Sequence, residues 1–360
     1  MATRGANSAM TAIERAVAAP APKRLQWMTA SVREVIEETS RVRSLVLDVP
    51  GWSGHRAGQH VDVRLTGEDG YQAQRSYSIA SAPETLDLVI TVERIIEGEV
   101  SPYLAGEVRR GDRFELRGPI GGYFVWTAPL DGHLFLVAGG SGIAPLMAML
   151  RHRAAANSDT PATLLYSSRT VEDIIYRAEL ERLDRQANTK IVHTFTRMQP
   201  AGWSGFSRRI DRAMLEATCF PVAVRPRIFV CGPTPLVEVA ARVAARHRPL
   251  REPDQDRAIR PNRGLAMDDG KNSAMPLDGN AEGGLLRELF APEMTAAEIT
   301  CDGCGAVAAV GAIRVYGTAM GAVFRCTHCD TVVLRLTHTP AGLFLDMRGA
   351  RRLFVASPEL

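Results

Sequence analysis

Two pairs of cysteines have the spacing of a four-thiolate metal site. Cys301 and Cys304 form one C-x-x-C pair, Cys326 and Cys329 form a second, and 21 residues separate the pairs. Structural zinc takes four ligands in a tetrahedral arrangement, and deprotonated cysteines are among the ligands it prefers. Four unrelated thiols would rarely have this spacing. We therefore expect a structural zinc site.

The sequence Arg75-Ser76-Tyr77-Ser78 has side chains that could hold a phosphorylated aromatic ligand. Alternate residues of a strand share one face, so Arg75 and Tyr77 project together. A guanidinium can pair with a phosphate, and a tyrosine ring can lie against an isoalloxazine ring. The Ser78 hydroxyl and backbone N–H could reach a ring nitrogen. Taken alone, the pattern is weak and is also typical of an ordinary surface strand.

A second segment, Gly98-Glu99-Val100-Ser101, adds to this interpretation. A helix that begins near Ser101 would offer backbone N–H groups and a hydroxyl to a pyrophosphate. The glycine would let the backbone approach the ligand. The alternative is that Ser101 only caps the helix, and both roles can hold at once.

A third candidate site is the glycine-rich turn in LFLVAGGSGIAPLMAML, which predicts a strand, a turn and a helix. Gly140, Gly142 and Ile143 lie where the strand passes into the helix, and glycines there let the backbone approach a pyrophosphate. The pattern differs from the G-x-G-x-x-G of standard dinucleotide folds. A tight turn without a ligand is the alternative.

Two further segments follow predicted strands of the same sheet. Ser167 and Arg169 lie just past one strand end, where open α/β sheets bind ligands, and an arginine there suits a 2′-phosphate. Cys231-Gly232-Pro233 ends the last predicted strand. A buried cysteine at a strand end is the alternative for Cys231.

The elements that must position these residues form a multi-domain chain. Residues 25–130 alternate apolar and polar residues between Gly and Pro turns, which predicts a small antiparallel β-barrel. Residues 131–248 alternate apolar strands with amphipathic helices, which predicts an α/β parallel-sheet domain. Residues 284–352 predict a small β zinc-ribbon-like module that opens with one short helix. Residues 1–24 are predicted to be a disordered tail and residues 249–283 a linker.

The order of the motifs RSYS, GEVS, GPIGGYF, GGSGIAPL and CGP resembles the ferredoxin–NADP reductase superfamily of flavin oxidoreductases, as found in oxygenase reductases. The resemblance covers about Leu25 to Arg248 and implies FAD in the barrel. It implies that Arg75 holds the flavin phosphate, that Tyr77 stacks on the ring and that Ser78 bonds near N5. Gly98 and Ser101 match the family's second phosphate segment.

The same resemblance implies a hydride donor. The glycine turn matches the family's nucleotide turn, and Cys231 matches a cysteine near the place where nicotinamide meets flavin. Ser167 and Arg169 favour NADPH over NADH. The implied reaction takes hydride from a nicotinamide dinucleotide to flavin N5, with Tyr77, Ser78 and Cys231 nearest the chemistry. Because the C-x₄-C-x₂-C cluster of plant-type ferredoxins is absent, the acceptor is expected to be a separate protein, a ferredoxin or an oxygenase or oxidoreductase component.

The C-terminal module leaves alternatives open. Residues from Leu277 to Gly349 resemble a small uncharacterised zinc-ribbon family found in actinobacteria. Rubredoxin-type iron uses the same four thiolates and would make the module a fused electron acceptor. Rubredoxins usually have glycine after the second cysteine of each pair, which Gly305 satisfies and Asp330 does not. A further alternative is a flavin redox sensor whose ribbon binds nucleic acid or a protein.

Composition excludes several classes. The net charge of +3 is too small to indicate a nucleic-acid partner, and no apolar run approaches the roughly 18–20 residues of a membrane span. The N-terminal residues lack the apolar segment of a signal peptide, so we expect a cytoplasmic protein. Hydrophobic residues make up 46% of the chain, which is ample for globular cores.

Overall fold

The fold is described from a computed structural model. The described residues are 25–128, 132–233, 235–237, 239–240, 256–259, 277–278, 286, 290, 293–318, 321–339 and 342–356. The predicted N-terminal tail lies outside them, as does most of the helix predicted over residues 234–247. A short helix was predicted at the start of the C-terminal module. Among its described residues only Leu286 is helical, and it is buried.

The first domain is a six-stranded antiparallel barrel, as predicted. Its strands are β1 (Met28–Thr39), β2 (Val42–Asp48), β3 (His60–Thr66), β4 (Gln72–Ser78), β5 (Leu88–Glu93) and β6 (Arg113–Ile120). They pair in the order β4-β3-β6-β1-β2-β5. A bridge between Ile79 and Ile90 joins the two outer strands and closes the barrel. Inward-facing apolar side chains such as Leu45 and Leu116 form the barrel core.

The second domain is a parallel sheet with helices, also as predicted. Its elements are β7 (Leu134–Gly139), α1 (Ile143–Ala155), β8 (Ala162–Ser168), α2 (Arg177–Asp184), β9 (Thr189–Phe195), α3 (Arg212–Thr218), β10 (Arg227–Cys231) and β11 (Asp256–Ile259). The sheet order is β11-β10-β7-β8-β9. Phe124 and Trp126, which follow the barrel, pack into the same apolar core as α1, so the two domains share a dry interface.

Three details differ from the sequence prediction. The segment DIIYRAELERLDRQ (residues 173–186) predicts one helix, but α2 begins only at Arg177, because Tyr176 at its N-terminal boundary has a left-handed backbone with φ of 58°. Helix α3 was not predicted, and its N-terminus is capped by Asp211, whose carboxylate accepts from Met214 N at 2.8 Å. Strand β11 lies inside the predicted linker and pairs with β10. It was not predicted because four residues are too few to show the alternation of a strand.

The C-terminal module consists of two small sheets. Its strands are β12 (Leu277–Asp278), β13 (Glu298–Cys301), β14 (Val307–Ala309), β15 (Arg314–Thr318), β16 (Gly321–Arg325), β17 (Val332–Thr339), β18 (Gly342–Asp346) and β19 (Ala350–Phe354). They form a five-stranded sheet β12-β15-β16-β17-β18 and a three-stranded sheet β14-β13-β19. The module therefore extends beyond residues 284–352, because β12 comes from the predicted linker and β19 ends at Phe354.

Candidate functional site

Strand β4 presents Arg75 and Tyr77 on one face, as the alternation predicted. The Arg75 guanidinium donates to Glu99 at 2.8 Å, and Tyr77 packs against the barrel core. Burial raises the pKa of the Tyr77 phenol, so the ring stays neutral. Ser76 faces the other way and donates to the buried carboxylate of Asp62 at 2.6 Å. Its side chain is thus turned away from the face that Arg75 and Tyr77 share.

The Arg75–Glu99 ion pair brings the two predicted phosphate segments together. Glu99 also accepts from the Tyr71 hydroxyl at 2.6 Å, and this hydrogen bond is the main cause that lowers the pKa of Glu99. The backbone is helical from Ser101, although the named element is only a short π-helix, Tyr103–Glu107. The Ser101 hydroxyl accepts from Ile95 N at 3.1 Å and leaves that helix without a side-chain cap.

The segment around Gly98 is closely packed. A Cβ on Gly98 would lie 2.9 Å from the Ser101 hydroxyl oxygen and 3.1 Å from the Ile95 carbonyl oxygen, so a side chain there would crowd both. Val100 is fully buried in the barrel core. Of the predicted residues in this segment, Val100 can therefore offer a ligand only its backbone.

Ser78 lies at the end of β4, opposite His60 of β3. His60 is buried, and among the described residues its Nε2 atom has no hydrogen-bond partner. Burial lowers the pKa of His60 and favours the neutral imidazole. Gln59 links this end of the barrel to the next turn, because its side chain donates to Gly121 O at 2.7 Å.

The predicted nicotinamide segments meet at one place. Gly142 lies so close to Cys231 that a Cβ on the glycine would be 2.4 Å from the cysteine carbonyl oxygen. A Cβ on Gly139 would lie 2.9 Å from Pro233, so the turn and the end of β10 are in contact. Gly140 has a φ of 57°, a backbone that glycine adopts without strain. A Cβ on Gly232 would likewise lie 2.9 Å from the backbone nitrogen of Gly139.

Other predicted residues around the turn have distinct positions. Ile143 begins α1, and its side chain is fully buried in the interdomain core, so only its backbone is near the turn. Ser167 is half-buried at the end of β8, opposite Gly139. Arg169 follows it and donates to Glu93 of the barrel at 3.3 Å. Glu93 was not predicted as a site residue from the sequence, although it stands only five residues before Gly98.

The four cysteines come together in the C-terminal module. Their sulfur atoms all lie within 4.8 Å of one another. The Cys301–Cys329 and Cys304–Cys326 sulfur pairs are 3.6 and 3.7 Å apart. Four sulfurs at about 2.3 Å from one ion in a tetrahedron would be about 3.8 Å apart, so the geometry fits such an ion.

The two cysteine pairs have matching backbone conformations. The residue after the second cysteine is left-handed in both, with a φ of 72° at Gly305 and 59° at Asp330. Aspartate tolerates this conformation better than most residues. The Asp330 carboxylate is also paired with Arg314 at 3.2 Å and Arg325 at 3.3 Å. Asp330 thus occupies the place where glycine was expected for rubredoxin without changing the turn.

The module docks on the turn that follows the barrel. The Thr295 hydroxyl accepts from Gly122 N at 3.0 Å and donates to Glu293 at 2.8 Å. Glu293 in turn accepts from Gly121 N at 3.3 Å. Gly311 packs against the Tyr123 side chain, where an added Cβ would lie 3.0 Å from the tyrosine Cβ and 3.2 Å from its ring carbon Cγ. Gly121 is the same residue that Gln59 contacts, so the module touches the barrel end that carries Ser78.

The barrel, the α/β domain and the C-terminal module each match a protein family. Residues 29–125 match the family described as "Oxidoreductase FAD-binding domain", and residues 136–242 match "Oxidoreductase NAD-binding domain". Residues 271–358 match a family of unknown function (DUF6510). The barrel and the α/β domain are therefore the FAD-binding and NAD-binding domains of an oxidoreductase, and the cysteine cluster lies in the third family's region.

Two similar proteins are named as reductase parts of monooxygenases. The glycine betaine monooxygenase reductase subunit of Pseudomonas aeruginosa is 32% identical over 219 residues, or 59% of each chain. The ferredoxin reductase component of 3-ketosteroid-9-alpha-monooxygenase from Mycobacterium tuberculosis is 31% identical over 222 residues, or 58% of this chain and 59% of that one. The chain thus spans about 59% of the length of these relatives.

Solved structures confirm the two-domain fold. The cytochrome b5 reductase domain of Ulva prolifera nitrate reductase matches with a TM-score of 0.57 and 23% identity, covering 66% of this chain and 97% of that one. A ferredoxin NADP+ reductase from Neisseria gonorrhoeae matches with a TM-score of 0.55 and 22% identity, covering 66% and 98%. Within the part of the chain that is described, no helix is both long and apolar enough to cross a membrane.

Proposed function

We propose that this chain is an NAD(P)H-dependent FAD oxidoreductase that passes electrons to a separate acceptor protein. The observation that carries the proposal is the convergence of its motifs. Arg75 meets the Gly98–Ser101 segment through Glu99, and the Gly139–Gly142 turn meets Cys231. Family matches to FAD-binding and NAD-binding domains cover the same residues.

The barrel residues fit a flavin dinucleotide. The Arg75 guanidinium already pairs with an anion, Glu99, and a phosphate could take the place of that carboxylate. In this proposal the neutral Tyr77 ring lies against the isoalloxazine, and Ser78 contacts it near N5. The backbones of Ser76 and Val100, with Gly98 and Ser101, complete the contacts to the phosphate end.

The α/β residues fit a nicotinamide dinucleotide. The glycines of the turn leave room at the N-terminus of α1, a 13-residue helix whose dipole favours a pyrophosphate. In this proposal Gly140, Gly142 and the backbone of Ile143 receive the pyrophosphate, while Cys231, Gly232 and Pro233 border the nicotinamide. Ser167 and Arg169 would bind a 2′-phosphate, which favours NADPH over NADH.

The protein's own contribution is orientation and exclusion of water. When bound, the nicotinamide and FAD supply the hydride transfer itself. Tyr77 and Cys231 border the reacting rings from the two domains, and the apolar interface around Phe124 keeps the site dry. Ser78 holds the flavin edge by a hydrogen bond. No acid–base residue is required in this scheme.

The acceptor is proposed to be a ferredoxin or an oxygenase component. Two of the relatives are described as reductase parts of monooxygenases, in Pseudomonas aeruginosa and Mycobacterium tuberculosis.

We propose a structural zinc ion for the cysteine cluster. The left-handed Asp330 supports a second candidate, a rubredoxin-like iron site that would make the module an electron acceptor. Metal analysis separates them: one zinc per chain supports the first, and one iron supports the second.

A steady-state assay tests the reductase proposal. Purified protein is mixed with NADPH or NADH and an artificial one-electron acceptor such as ferricyanide. The proposal predicts FAD-dependent acceptor reduction that is lost in Tyr77→Ala. Turnover that is equal in wild type and Tyr77→Ala would contradict the flavin site.

A further inference from the structure

Glu93 reaches from the barrel to the glycine turn of the NAD-binding domain. It is the last residue of β5. Its Oε2 atom accepts from the Ser141 hydroxyl at 2.9 Å. A Cβ on Gly140 would lie 3.7 Å from that same oxygen. The carboxylate therefore lies directly against the turn that is proposed to receive the dinucleotide pyrophosphate.

The other carboxylate oxygen of Glu93 faces two cations. Arg169 donates to Oε1 at 3.3 Å, and Arg41 lies 3.7 Å from the same atom. Arg41 also pairs with Asp173 at 3.2 Å. The four charged side chains are 25–34% exposed, so solvent screens them only in part. Two carboxylates face two guanidiniums, and the cluster is close to neutral.

The partners of Glu93 are the groups that the proposed function gives to the nucleotide. Ser141 belongs to the phosphate turn, and Arg169 is the proposed 2′-phosphate ligand. A phosphate at this site would meet the negative charge of Glu93 and would have to draw both donors away from it.

We propose that Glu93 is a specificity-determining residue that acts as an internal competitor for the nucleotide phosphates. This inference rests on the proposed function. In the free protein, Glu93 holds Ser141 and Arg169 in the place of a phosphate. Nucleotide binding displaces the carboxylate, and the free energy of that displacement weakens the binding of the more highly charged NADP+ more than that of NAD+.

The substitution Glu93→Gln reverses this balance. The amide has nearly the same shape and can still accept hydrogen bonds, but one negative charge is gone. The two guanidiniums then face a single carboxylate, Asp173, and the cluster gains one net positive charge. One unit charge roughly 6–8 Å from a phosphate in a half-solvated site changes affinity by about 3- to 10-fold. We expect Glu93→Gln to lower the Kd for NADP+ by about that factor and the Kd for NAD+ by less.

The test is isothermal titration of the full-length, FAD-loaded protein with NADP+ and with NAD+, which bind without turnover. The matched control is Glu216→Gln on α3, which removes the same charge from an exposed pair with Arg212 in the same domain. Tighter NADP+ binding by Glu93→Gln but not by Glu216→Gln supports the inference. Glu93→Ala is the second variant and is expected to change binding in the same direction.

Two results would overturn it. Unchanged NADP+ affinity in the Glu93 variants would show that the carboxylate does not compete. Weaker binding would show instead that Glu93 contacts the nucleotide directly, for example by accepting from a ribose hydroxyl. Failure of the proposed function looks different: wild-type protein would retain FAD yet bind neither nucleotide, and the inference would fall with it.

Discussion

The Thr295 hydroxyl of the C-terminal module lies 3.0 Å from the backbone nitrogen of Gly122, in the turn that follows the last barrel strand. Thr295 is fully buried, and its hydroxyl also donates to Glu293. The same turn is hydrogen-bonded to Gln59, next to the barrel end that carries Ser78. The module of unknown function is therefore attached to the FAD-binding domain beside its proposed flavin site.

Thr295→Val removes this hydroxyl while keeping the shape of the side chain. The half-buried Gly122 N–H then loses its acceptor, which costs about 0.5–1.5 kcal/mol of unfolding free energy. Chemical denaturation measures the loss. Thr66→Val is the control, because Thr66 is exposed and accepts only a long bond from Gln72 at 3.4 Å. Equal stability of the two variants would contradict the docking contact.

Arg75→Ala should weaken FAD binding. A charged hydrogen bond to phosphate is worth about 1.5–3 kcal/mol, so the Kd for FAD should rise by about 10- to 150-fold. Flavin fluorescence on titration of the apoprotein measures it. The control is Arg64→Ala, since Arg64 pairs with Glu115 at 2.8 Å on the neighbouring strands. A Kd that rises no more than in the control would remove Arg75 from the site.

Stability should fall as the pH is lowered below about 6.5. Burial lowers the pKa of His55, His60 and His193, so the unfolded chain takes up protons at a higher pH than the folded chain. The free energy of unfolding therefore drops between the unfolded and folded pKa values, by up to about 1.4 kcal/mol per pH unit for each histidine.

Denaturation curves at pH 7.5 and 5.5 measure this dependence. His60→Gln should show a smaller difference between the two pH values than wild type, and His133→Gln, at a histidine outside this buried set, serves as the control. The same pH difference in all three proteins would show that His60 does not take part.

The cysteine cluster should hold one metal ion per chain. Cys304→Ser removes one of four ligands and should reduce the metal content to near zero, because a structural site is closed by four ligands. Elemental analysis of the purified proteins measures this. Cys219→Ser is the control, as Cys219 lies outside the cluster and should leave the metal content unchanged. Metal retained in Cys304→Ser would contradict the site.

Local patterns in the sequence predicted which of these side chains lie on one face or come together. The alternation along β4 put Arg75 and Tyr77 on one face, and the cysteine spacing anticipated the cluster. The first pattern spans only three residues, and the second is a ligand spacing typical of zinc sites. Neither prediction therefore required knowledge of the fold. Helices, strands and domain order followed from periodicity in the same way, apart from short elements such as β11.

The contacts between distant segments could not be predicted. Glu99 lies 24 residues from Arg75, Glu93 lies 48 residues from Ser141, and Thr295 lies 173 residues from Gly122. The residues next to Glu93, Glu99 or Thr295 in the sequence do not indicate which distant residue each of them contacts. The Arg75–Glu99 pair forms within the barrel, the Ser141–Glu93 pair between the barrel and the α/β domain, and the Gly122–Thr295 pair between the barrel turn and the C-terminal module. Each pair therefore depends on the tertiary fold.

In the proposed reaction, a nicotinamide dinucleotide reduces a flavin held in the barrel. An anaerobic titration of the FAD-loaded protein with NADPH and then with NADH, followed by the visible absorption of the flavin, tests it directly. Both nucleotides are expected to bleach the flavin band, NADPH faster than NADH. A flavin band that neither nucleotide changes would contradict it.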